Sequence, residues 1–185
     1  MDCLRTETPK ELTNVSTQII GSVRELCKAA SEIAEELGYE PILLTDHLDC
    51  EAKEAGAFLA DVLRTHACDG KKLAYLAGGE TVVHLVGKGL GGRNQEIALA
   101  AAAGLAGIPN ACVISVGSDG TDGPTDAAGG YSDGDTTKAL AKHGLAVSGV
   151  LADNNAYHAL KAVDGLIFTG PTGTNVNDVA IALIG

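Results

Sequence analysis

Hydrophobic and polar residues follow helix and strand spacing along the first third of the chain. Apolar residues recur at helical spacing across residues 22–37, and charged residues occupy the opposite face. Ser22 followed by Glu25 is typical of a capping box, which predicts that this helix begins at Ser22. The apolar run Pro41–Thr45 predicts a buried strand, and a second amphipathic helix begins at Asp49.

Polar stretches flank this region on both sides. Residues 1–14 show no hydrophobic period and predict an arm, whereas residues 18–21 predict a short strand. The order strand, helix, strand, helix is typical of parallel βαβ units. A polar break at residues 68–72 divides the chain into a βαβα segment, residues 1–70, and a second domain, residues 71–185.

A hairpin and a buried helix are predicted next. Leu73–Leu76 and Val82–Val86 have strand patterns, and Gly78-Gly79 between them favours a tight antiparallel hairpin. Ile97–Leu105 is apolar on every side, which is typical of a helix buried between two surfaces.

The last part of the chain continues the alternation. Strands are predicted at residues 111–116, 166–169 and 179–184, and helices at residues 136–143 and 155–163. Residues 117–135 are rich in glycine and aspartate and predict a long functional or mobile loop. The whole pattern predicts an α/β fold, with three α/β/α layers on a mixed, mostly parallel sheet.

Composition narrows the classes of function. The chain carries 24 acidic and 13 basic side chains, a formal net charge of −11, so neither nucleic acid nor an anionic membrane is an expected partner. No apolar run reaches the roughly 18 residues of a membrane span, and the first residues lack the apolar region of a signal peptide. The five cysteines have no C-x-x-C spacing, which favours buried, reduced thiols. These features predict a soluble cytoplasmic protein.

The segment GKGLGGRNQE, residues 87–96, joins a predicted strand to the buried helix. Glycine lets a backbone approach a ligand, and the first N–H groups of a helix have no intrahelical partner. Lys88 and Arg93 add positive charge, and a planar guanidinium suits a carboxylate or a phosphate. We therefore expect an anion-binding loop; a salt bridge from Arg93 to a surface acid and a solvated Lys88 are the alternatives.

The same glycines also satisfy a dinucleotide-binding spacing. Gly87, Gly89 and Gly92 match G-x-G-x-x-G, but no acidic residue follows a second strand where a ribose would need one. The match has little specificity because the chain contains 24 glycines. A Walker A loop is excluded because glycine, not serine or threonine, follows Lys88. A NAD-type site is therefore disfavoured.

Carboxylates lie on both sides of this loop and after the next strand. Glu80 and Glu96 are placed to orient Arg93 or to help hold a metal, although a carboxylate in a first helical turn, as at Glu96, is favourable in any case. The metal-binding candidates are three aspartates that follow the strand at residues 111–116: Asp119, Asp122 and Asp126. Mg²⁺ takes such oxygens together with substrate phosphates, but aspartate and glycine are equally common in turns.

A third loop, TGPTGTN at residues 169–175, supplies hydroxyl and amide groups after another strand. If the three loops meet at one end of the sheet, they form a pocket for a small polyanion. The five histidines share no ligand spacing and are interpreted as ordinary residues.

Four motifs resemble, in order, those of a known family. GGET at 78–81, GKGLGGRNQE at 87–96, GTDGPTDAAG at 120–129 and TGPTGTNVND at 169–178 are similar to the C-terminal MOFRL domain of class II glycerate 2-kinases, enzymes that are also labelled hydroxypyruvate reductases. ETPK at 7–10 and IIGS at 19–22 resemble the end of the family's N-terminal domain. The resemblance covers nearly the whole chain, but the chain covers less than half of the family's length.

The resemblance implies ATP and Mg²⁺ as cofactors, D-glycerate as substrate, and an active site in the cleft between two halves. The upstream half, with a lysine implicated in catalysis, is absent from this chain. Arg93 is expected to stabilise charge on the transferred phosphoryl group, with Lys88 as a second cation. Leu90 stands where the family often has arginine, which removes one positive charge from the loop. The expected substrate- or phosphate-binding residues are Gly79, Glu80, Thr81, Gly91, Gly92, Asn94, Thr172, Gly173, Thr174 and Asn175.

Three hypotheses follow. The leading one is the C-terminal portion of a glycerate-2-kinase-like enzyme, with little activity alone because phosphoryl transfer depends on positioning and charge stabilisation across a whole cleft. The second is a non-catalytic subunit that binds a small anion or pairs with a separate N-terminal half. The third is an NAD(P)-dependent hydroxypyruvate reductase. The sequence leaves open whether Met1 is a natural start and whether the chain forms a homo-oligomer.

Overall fold

A six-stranded sheet with helices on both faces forms the fold. The computed structural model describes residue 10, residues 13–16, residue 18 and residues 20–185. The strands are β1 (Glu40–Leu48), β2 (Leu73–Gly79), β3 (Ala111–Gly117), β4 (Gly129–Asp133), β5 (Leu166–Ile167) and β6 (Asp178–Ile184). The helices are α1 (Val23–Glu36), α2 (Ala52–His66), α3 (Arg93–Leu105), α4 (Thr136–Lys142), α5 (Val147–Ala152) and α6 (Ala156–Ala162).

The strand order is β1-β2-β6-β3-β4-β5, and the sheet is mixed as predicted. Only β1 and β2 pair in parallel; β2–β6, β6–β3, β3–β4 and β4–β5 pair antiparallel. The α/β class is therefore confirmed, but the expectation of mostly parallel pairing is wrong. The reason is that β6, the last strand in the chain, inserts between β2 and β3 in the opposite direction.

Alternate residues of β2 point to opposite faces of the sheet and are covered by different helices. Ala74 and Leu76 pack with Ala34 of α1, whereas Leu73 and Tyr75 belong to the cluster formed with α2 and α3. The three-layer arrangement is therefore confirmed. The α1, β1 and α2 elements pack on the same sheet as the rest of the chain, and the division near residue 70 stays a prediction.

Helix α3 is buried between two surfaces, as its uniformly apolar sequence predicts. One side faces the sheet and α2 through Ile97 and Ala101, and the other packs through Leu99 against Leu140 and Leu160 of α4 and α6. A Cβ atom on Gly56 of α2 would lie 2.1 Å from the carbonyl oxygen of Ile97, so glycine permits this close helix contact.

The predicted hairpin is wrong. The strand that begins at Leu73 continues to Gly79, and residues 82–86 form no strand; Val82 makes only an isolated bridge with Glu51. The reason is that both edges of β2 are already paired, with β1 and β6. In the predicted strand at residues 18–21, residues 18, 20 and 21 have no regular structure, and residue 19 lies outside the described residues, as does most of the predicted arm.

Two elements escape the hydrophobic pattern. Strand β4 lies inside the predicted long loop, because glycine has little strand propensity. A Cβ atom on Gly129 would lie 1.9 Å from the carbonyl oxygen of Ser115, so the close approach to β3 requires glycine there. Helix α5, the second of these elements, has only six residues, too few to show a clear hydrophobic period.

Strand β1 is an edge strand without a fully buried residue, contrary to the prediction of a buried strand.

Among the described cysteines, Cys27, Cys50, Cys68 and Cys112 are free thiols. Of these four, only Cys27 is buried, whereas Cys50 and Cys68 are exposed. Within the part of the chain that the structure describes, the helices are too short or too polar to cross a membrane.

Candidate functional site

A cleft of about 830 Å³ opens where β2 and β3 end and β6 begins. Asp178, the first residue of β6, lies in register between Gly79 at the end of β2 and Gly117 at the end of β3. The loops after β2 and β3 therefore meet at one edge of the sheet, together with the N-terminus of α3. Seven of the expected site residues line the cleft: Glu80, Thr81, Gly91, Gly92, Arg93, Asp119 and Asp122.

The carboxylate of Asp122 caps the N-terminus of α3. Its Oδ1 accepts hydrogen bonds from the backbone N–H of Asn94 at 3.1 Å and from the Asn94 side-chain amide at 3.3 Å. Its Oδ2 accepts from the backbone N–H of Gln95 at 2.9 Å. These N–H groups are the ones that the sequence analysis expected to bind an anionic ligand. In the structure, they donate to the carboxylate of Asp122 instead.

Burial has a strong effect on this carboxyl group. Asp122 is 3% exposed, and removal from water raises its pKa to about 6, while the hydrogen bonds from Gln95 and Asn94 act in the opposite direction. The Gln95 side chain holds the same turn by donating to the carbonyl oxygen of Asp122 at 3.3 Å and to the Thr125 hydroxyl at 2.8 Å. The Asp122 loop and the first turn of α3 therefore form one bonded unit.

The glycines of the 87–92 loop make room for the chain itself. A Cβ atom on Gly92 would lie 2.3 Å from Cγ of Asp122, and one on Gly87 would lie 2.2 Å from the backbone of Asp153. The loop backbone is bonded to the same neighbouring segment, since the N–H of Lys88 donates to the Asp153 carboxylate at 3.0 Å and that of Leu90 to Oδ1 of Asn155 at 3.1 Å. Close packing within the protein accounts for the glycines at these positions.

Asn154 connects this loop to α3. Its Oδ1 accepts from the backbone N–H groups of Val86 and Gly87, both at 2.9 Å, and its Nδ2 donates to the carbonyl oxygen of His84 at 3.1 Å and to Glu96 at 3.4 Å. Its backbone has a φ of 52°, a conformation that asparagine tolerates better than most residues. The sequence analysis missed this residue; the Asn-Asn pair at 154–155 is the signal that points to it.

Two further polar groups lie at the wall of the cleft. Glu96 is 3% exposed, and its burial raises the pKa of its carboxyl group. Thr81 is also 3% exposed, and its hydroxyl has no hydrogen-bond partner among the described residues.

Arg93, the first residue of α3, is held by two carboxylates. Its Nε donates to Oδ2 of Asp178 at 2.5 Å and its Nη2 to Oδ1 of Asp178 at 3.2 Å, while Nη1 donates to Glu80 at 2.8 Å. The hydrogen bond that Arg93 donates to Asp178 is the main cause of a raised pKa for Arg93. Asp178 was not among the expected site residues, although it ends the TGPTGTNVND motif.

The third loop braces the aspartate loop. The Thr172 hydroxyl donates to the carbonyl oxygen of Ser118 at 2.5 Å, and the Asn175 side chain donates to Asp119 at 3.3 Å. The backbone N–H of Val176 donates to the Ser118 hydroxyl at 2.8 Å. The three predicted loops therefore meet, but the third packs against the aspartate loop and does not line the cleft. Eight of the expected residues lie outside the lining of the cleft: Gly79, Lys88, Asn94, Asp126, Thr172, Gly173, Thr174 and Asn175.

The three candidate metal ligands have separate partners. Asp122 binds α3, Asp126 accepts from the Tyr157 hydroxyl at 2.7 Å, and Asp119 accepts from Thr121 at 2.9 Å. Within residues 20–185 and the few described before them, no three His, Cys, Asp or Glu side chains converge as a metal site would require.

The charge of the cleft is the reverse of that expected for a polyanion pocket. Its lining contains the four carboxylates of Glu80, Glu96, Asp119 and Asp122, and Arg93 is its single cation among the described residues. Lys88 is exposed on the loop and does not line the cleft.

Comparisons with known proteins agree on the family. Residues 73–178 match the model of the MOFRL family. The chain is 50% identical to a D-glycerate 2-kinase of Thermotoga maritima, over 96% of this chain and 44% of the relative, and 45% identical to a glycerate 2-kinase of Pyrococcus horikoshii, over 96% and 42%. A putative hydroxypyruvate reductase of Agrobacterium vitis is 37% identical over 91% of this chain and 45% of the relative.

A solved structure gives the same result. The fold superposes on the crystal structure of the glycerate kinase of Thermotoga maritima with a TM-score of 0.92 and 49% identity, covering 96% of this chain and 44% of that one. The chain thus spans less than half the length of these relatives. The motifs, the fold and the matched residues together show that the chain belongs to the MOFRL family.

Proposed function

We propose that this chain forms one wall of the active site of a glycerate-2-kinase-like enzyme. In its complete form, such an enzyme transfers the γ-phosphoryl group of ATP to the 2-hydroxyl of D-glycerate. The observation that carries the proposal is the position of Arg93, the single cation of the cleft lining among the described residues, in a chain 50% identical to a D-glycerate 2-kinase.

Arg93 binds the anionic group of the substrate or of the transferred phosphoryl in this proposal. A guanidinium has five N–H donors, and the Asp178 and Glu80 contacts use three, which leaves two for a ligand. Thr81 and Glu80 also line the cleft. Lys88, exposed on the 87–92 loop, is the second cation in this proposal.

A magnesium ion held by the aspartate loop does not fit the side chains present. Asp122 has both oxygens bonded to α3, and Asp126 is bonded to Tyr157. Mg²⁺ commonly enters phosphoryl-transfer sites with the nucleotide phosphates and keeps several waters. We therefore assign Mg²⁺ and ATP to the complete enzyme and derive no step that depends on an ion held by these aspartates.

The cleft of this chain is electrostatically incomplete for the reaction. ATP and glycerate are both anions, whereas the lining has four carboxylates and one arginine, itself paired with Glu80 and with Asp178. Further positive charge has to come from the part of the enzyme that faces this wall. The 185 residues alone are therefore expected to have negligible kinase activity.

Reconstitution tests the proposal. The chain is mixed or co-expressed with the part of the Thermotoga maritima relative that it does not cover, and phosphorylation of D-glycerate by ATP is measured. Activity is expected for the combination and for neither part alone. Robust activity of the 185 residues alone contradicts the incomplete-site argument. A stable complex without activity supports a non-catalytic partner subunit instead.

The name of the Agrobacterium vitis relatives favours a second candidate, an NAD(P)-dependent hydroxypyruvate reductase. Consumption of NAD(P)H with hydroxypyruvate by the same combination is the test. If the cofactor is not consumed while glycerate is phosphorylated, the reductase candidate is eliminated.

A further inference from the structure

The two carboxylates that hold Arg93 are not equivalent. Asp178 takes the side of the guanidinium formed by Nε and Nη2, so that both of its oxygens are engaged by one residue. Glu80 makes a single contact with Nη1. The two-point contact fixes the plane of the guanidinium as well as its position, which a single contact does not do.

The two carboxylates also differ in their exposure to solvent and in how firmly their backbone is held. The Asp178 side chain is 9% exposed, and its backbone is paired on both sides, with Gly79 of β2 and Gly117 of β3. The Glu80 side chain is 54% exposed and follows the end of β2. Asp178 is therefore fixed by strand pairing at the start of β6, whereas the Glu80 side chain is largely exposed to solvent and outside the strands.

We propose that Asp178 is the positioning residue for Arg93. It holds the guanidinium side-on, so that the two remaining N–H groups, one on each terminal nitrogen, are presented to a carboxylate or phosphoryl group in the cleft. This inference rests on the proposed function only in the identity of the anion. The arrangement of Asp178 and Arg93 is a separate claim about the 185-residue chain.

Charge explains why a fixed partner is needed. Arg93, Asp178 and Glu80 together carry one negative charge, so an anion that approaches Arg93 competes with the exposed Glu80 carboxylate. Without Asp178, the arginine side chain would follow Glu80 or the ligand, and the position of its donors would no longer be set. A misplacement of about 1 Å is enough to reduce catalysis on the order of 100-fold.

Nuclear magnetic resonance on the 185-residue chain tests the arrangement directly. The Nε–H resonance of Arg93 is expected to be shifted and protected from solvent exchange, because Nε donates to a buried carboxylate. Asp178→Asn should reduce the shift and the protection, because an amide offers Arg93 one acceptor oxygen and no negative charge. Asp61→Asn, which breaks the exposed Arg64–Asp61 pair, is the matched control and should leave Arg93 unchanged. An unaltered Arg93 resonance in D178N overturns the proposal.

Chemical rescue in the combined enzyme tests the role in the reaction. Asp178→Asn should lower kcat on the order of 100-fold, with the KM for ATP retained, and Asp178→Glu should recover part of the loss. Added guanidinium should restore activity to Arg93→Ala, because Asp178 can bind it, but not to the double variant R93A/D178N. Equal rescue of both variants overturns the proposal, since a merely structural Asp178 would not decide where guanidinium binds.

The two measurements separate this inference from the proposed function. An inactive combination of wild-type parts counts against the kinase, while the resonance of Arg93 still decides whether Asp178 positions it.

Discussion

Asp122 and Asp178 bind neighbouring residues at the start of the same helix, yet they have different consequences. Asp122 accepts from the backbone of Asn94 and Gln95, and the whole arrangement is buried. Asp178 accepts from the side chain of Arg93, which lines the cleft and keeps two donors unused. A carboxylate that binds buried backbone N–H groups stabilises the fold. A carboxylate that binds a side chain with several donors, at a cleft, leaves some of these donors available to a ligand.

The largest expected effect comes from removing the cap. Asp122→Ala leaves buried N–H groups of Asn94 and Gln95 without an acceptor, and we expect the free energy of unfolding to fall by about 2 to 4 kcal/mol. Chemical denaturation of the 185-residue chain measures it. Asp126→Asn, which keeps a polar partner for Tyr157, is the control. A loss as small as that of the control would contradict a capping role for Asp122.

Gly92→Ala attacks the same contact from the other side. The added Cβ would lie 2.3 Å from Cγ of Asp122, so we expect a loss of about 2 kcal/mol. Gly149→Ala in α5 is the matched control, because a Cβ there meets nothing within 4 Å and alanine is the better helix former.

A double variant tests whether Gly92 and Asp122 affect stability through the same contact. In Asp122→Ala the clash with Gly92→Ala is removed, so the two losses should be less than additive. Additive losses would show that Gly92 is required for another reason, such as the approach of Gly123, whose own Cβ would lie 2.6 Å from the carbonyl oxygen of Gly91.

The smallest effect is a dependence on pH. The pKa of Asp122 is raised from 3.8 to about 6 in the folded protein, so the native state holds a proton that the unfolded chain has lost. The contribution of this group is therefore fully present below its unfolded pKa and is lost as the pH rises through about 6, by about 1 kcal/mol between roughly pH 5 and pH 7. The measurement is the difference in unfolding free energy between wild type and Asp122→Asn across this range. A difference that does not change with pH would contradict a raised pKa for Asp122.

Much of the fold follows from periodicity. Helices α1, α2 and α3 have clear hydrophobic patterns, and each is found within a few residues of its predicted start. The Val82–Val86 run shows what hydrophobic periodicity cannot predict. It has a strand pattern, yet β1 and β6 already pair with both sides of β2, and no sequence pattern reports which edges are occupied. Strand β4 was missed for the opposite reason, because its glycines lack strand propensity, although Gly129 is needed for the close approach to β3.

The site shows the same limit. Arg93 and the loops around it could be selected from the sequence because their residue types suit anions, and the motifs 78–81, 87–96, 120–129 and 169–178 indicate the family. The roles within the site could not be read in this way. The glycines at residues 87 and 92 have the spacing of a ligand-binding loop. The space that a Cβ atom would take at these positions is filled by Asp153 and Asp122 of the same chain.

The α/β class, the buried position of α3 and the family could be predicted from the sequence, because they depend on local periodicity, on residue chemistry and on contiguous motifs. Three features could be seen only in the folded protein: β6 lies between β2 and β3, Asp122 caps the N-terminus of α3, and Asp178 holds Arg93. The Asp122 and Asp178 contacts join residues 27 and 85 positions apart, and the pairing of distant segments depends on how the whole core packs.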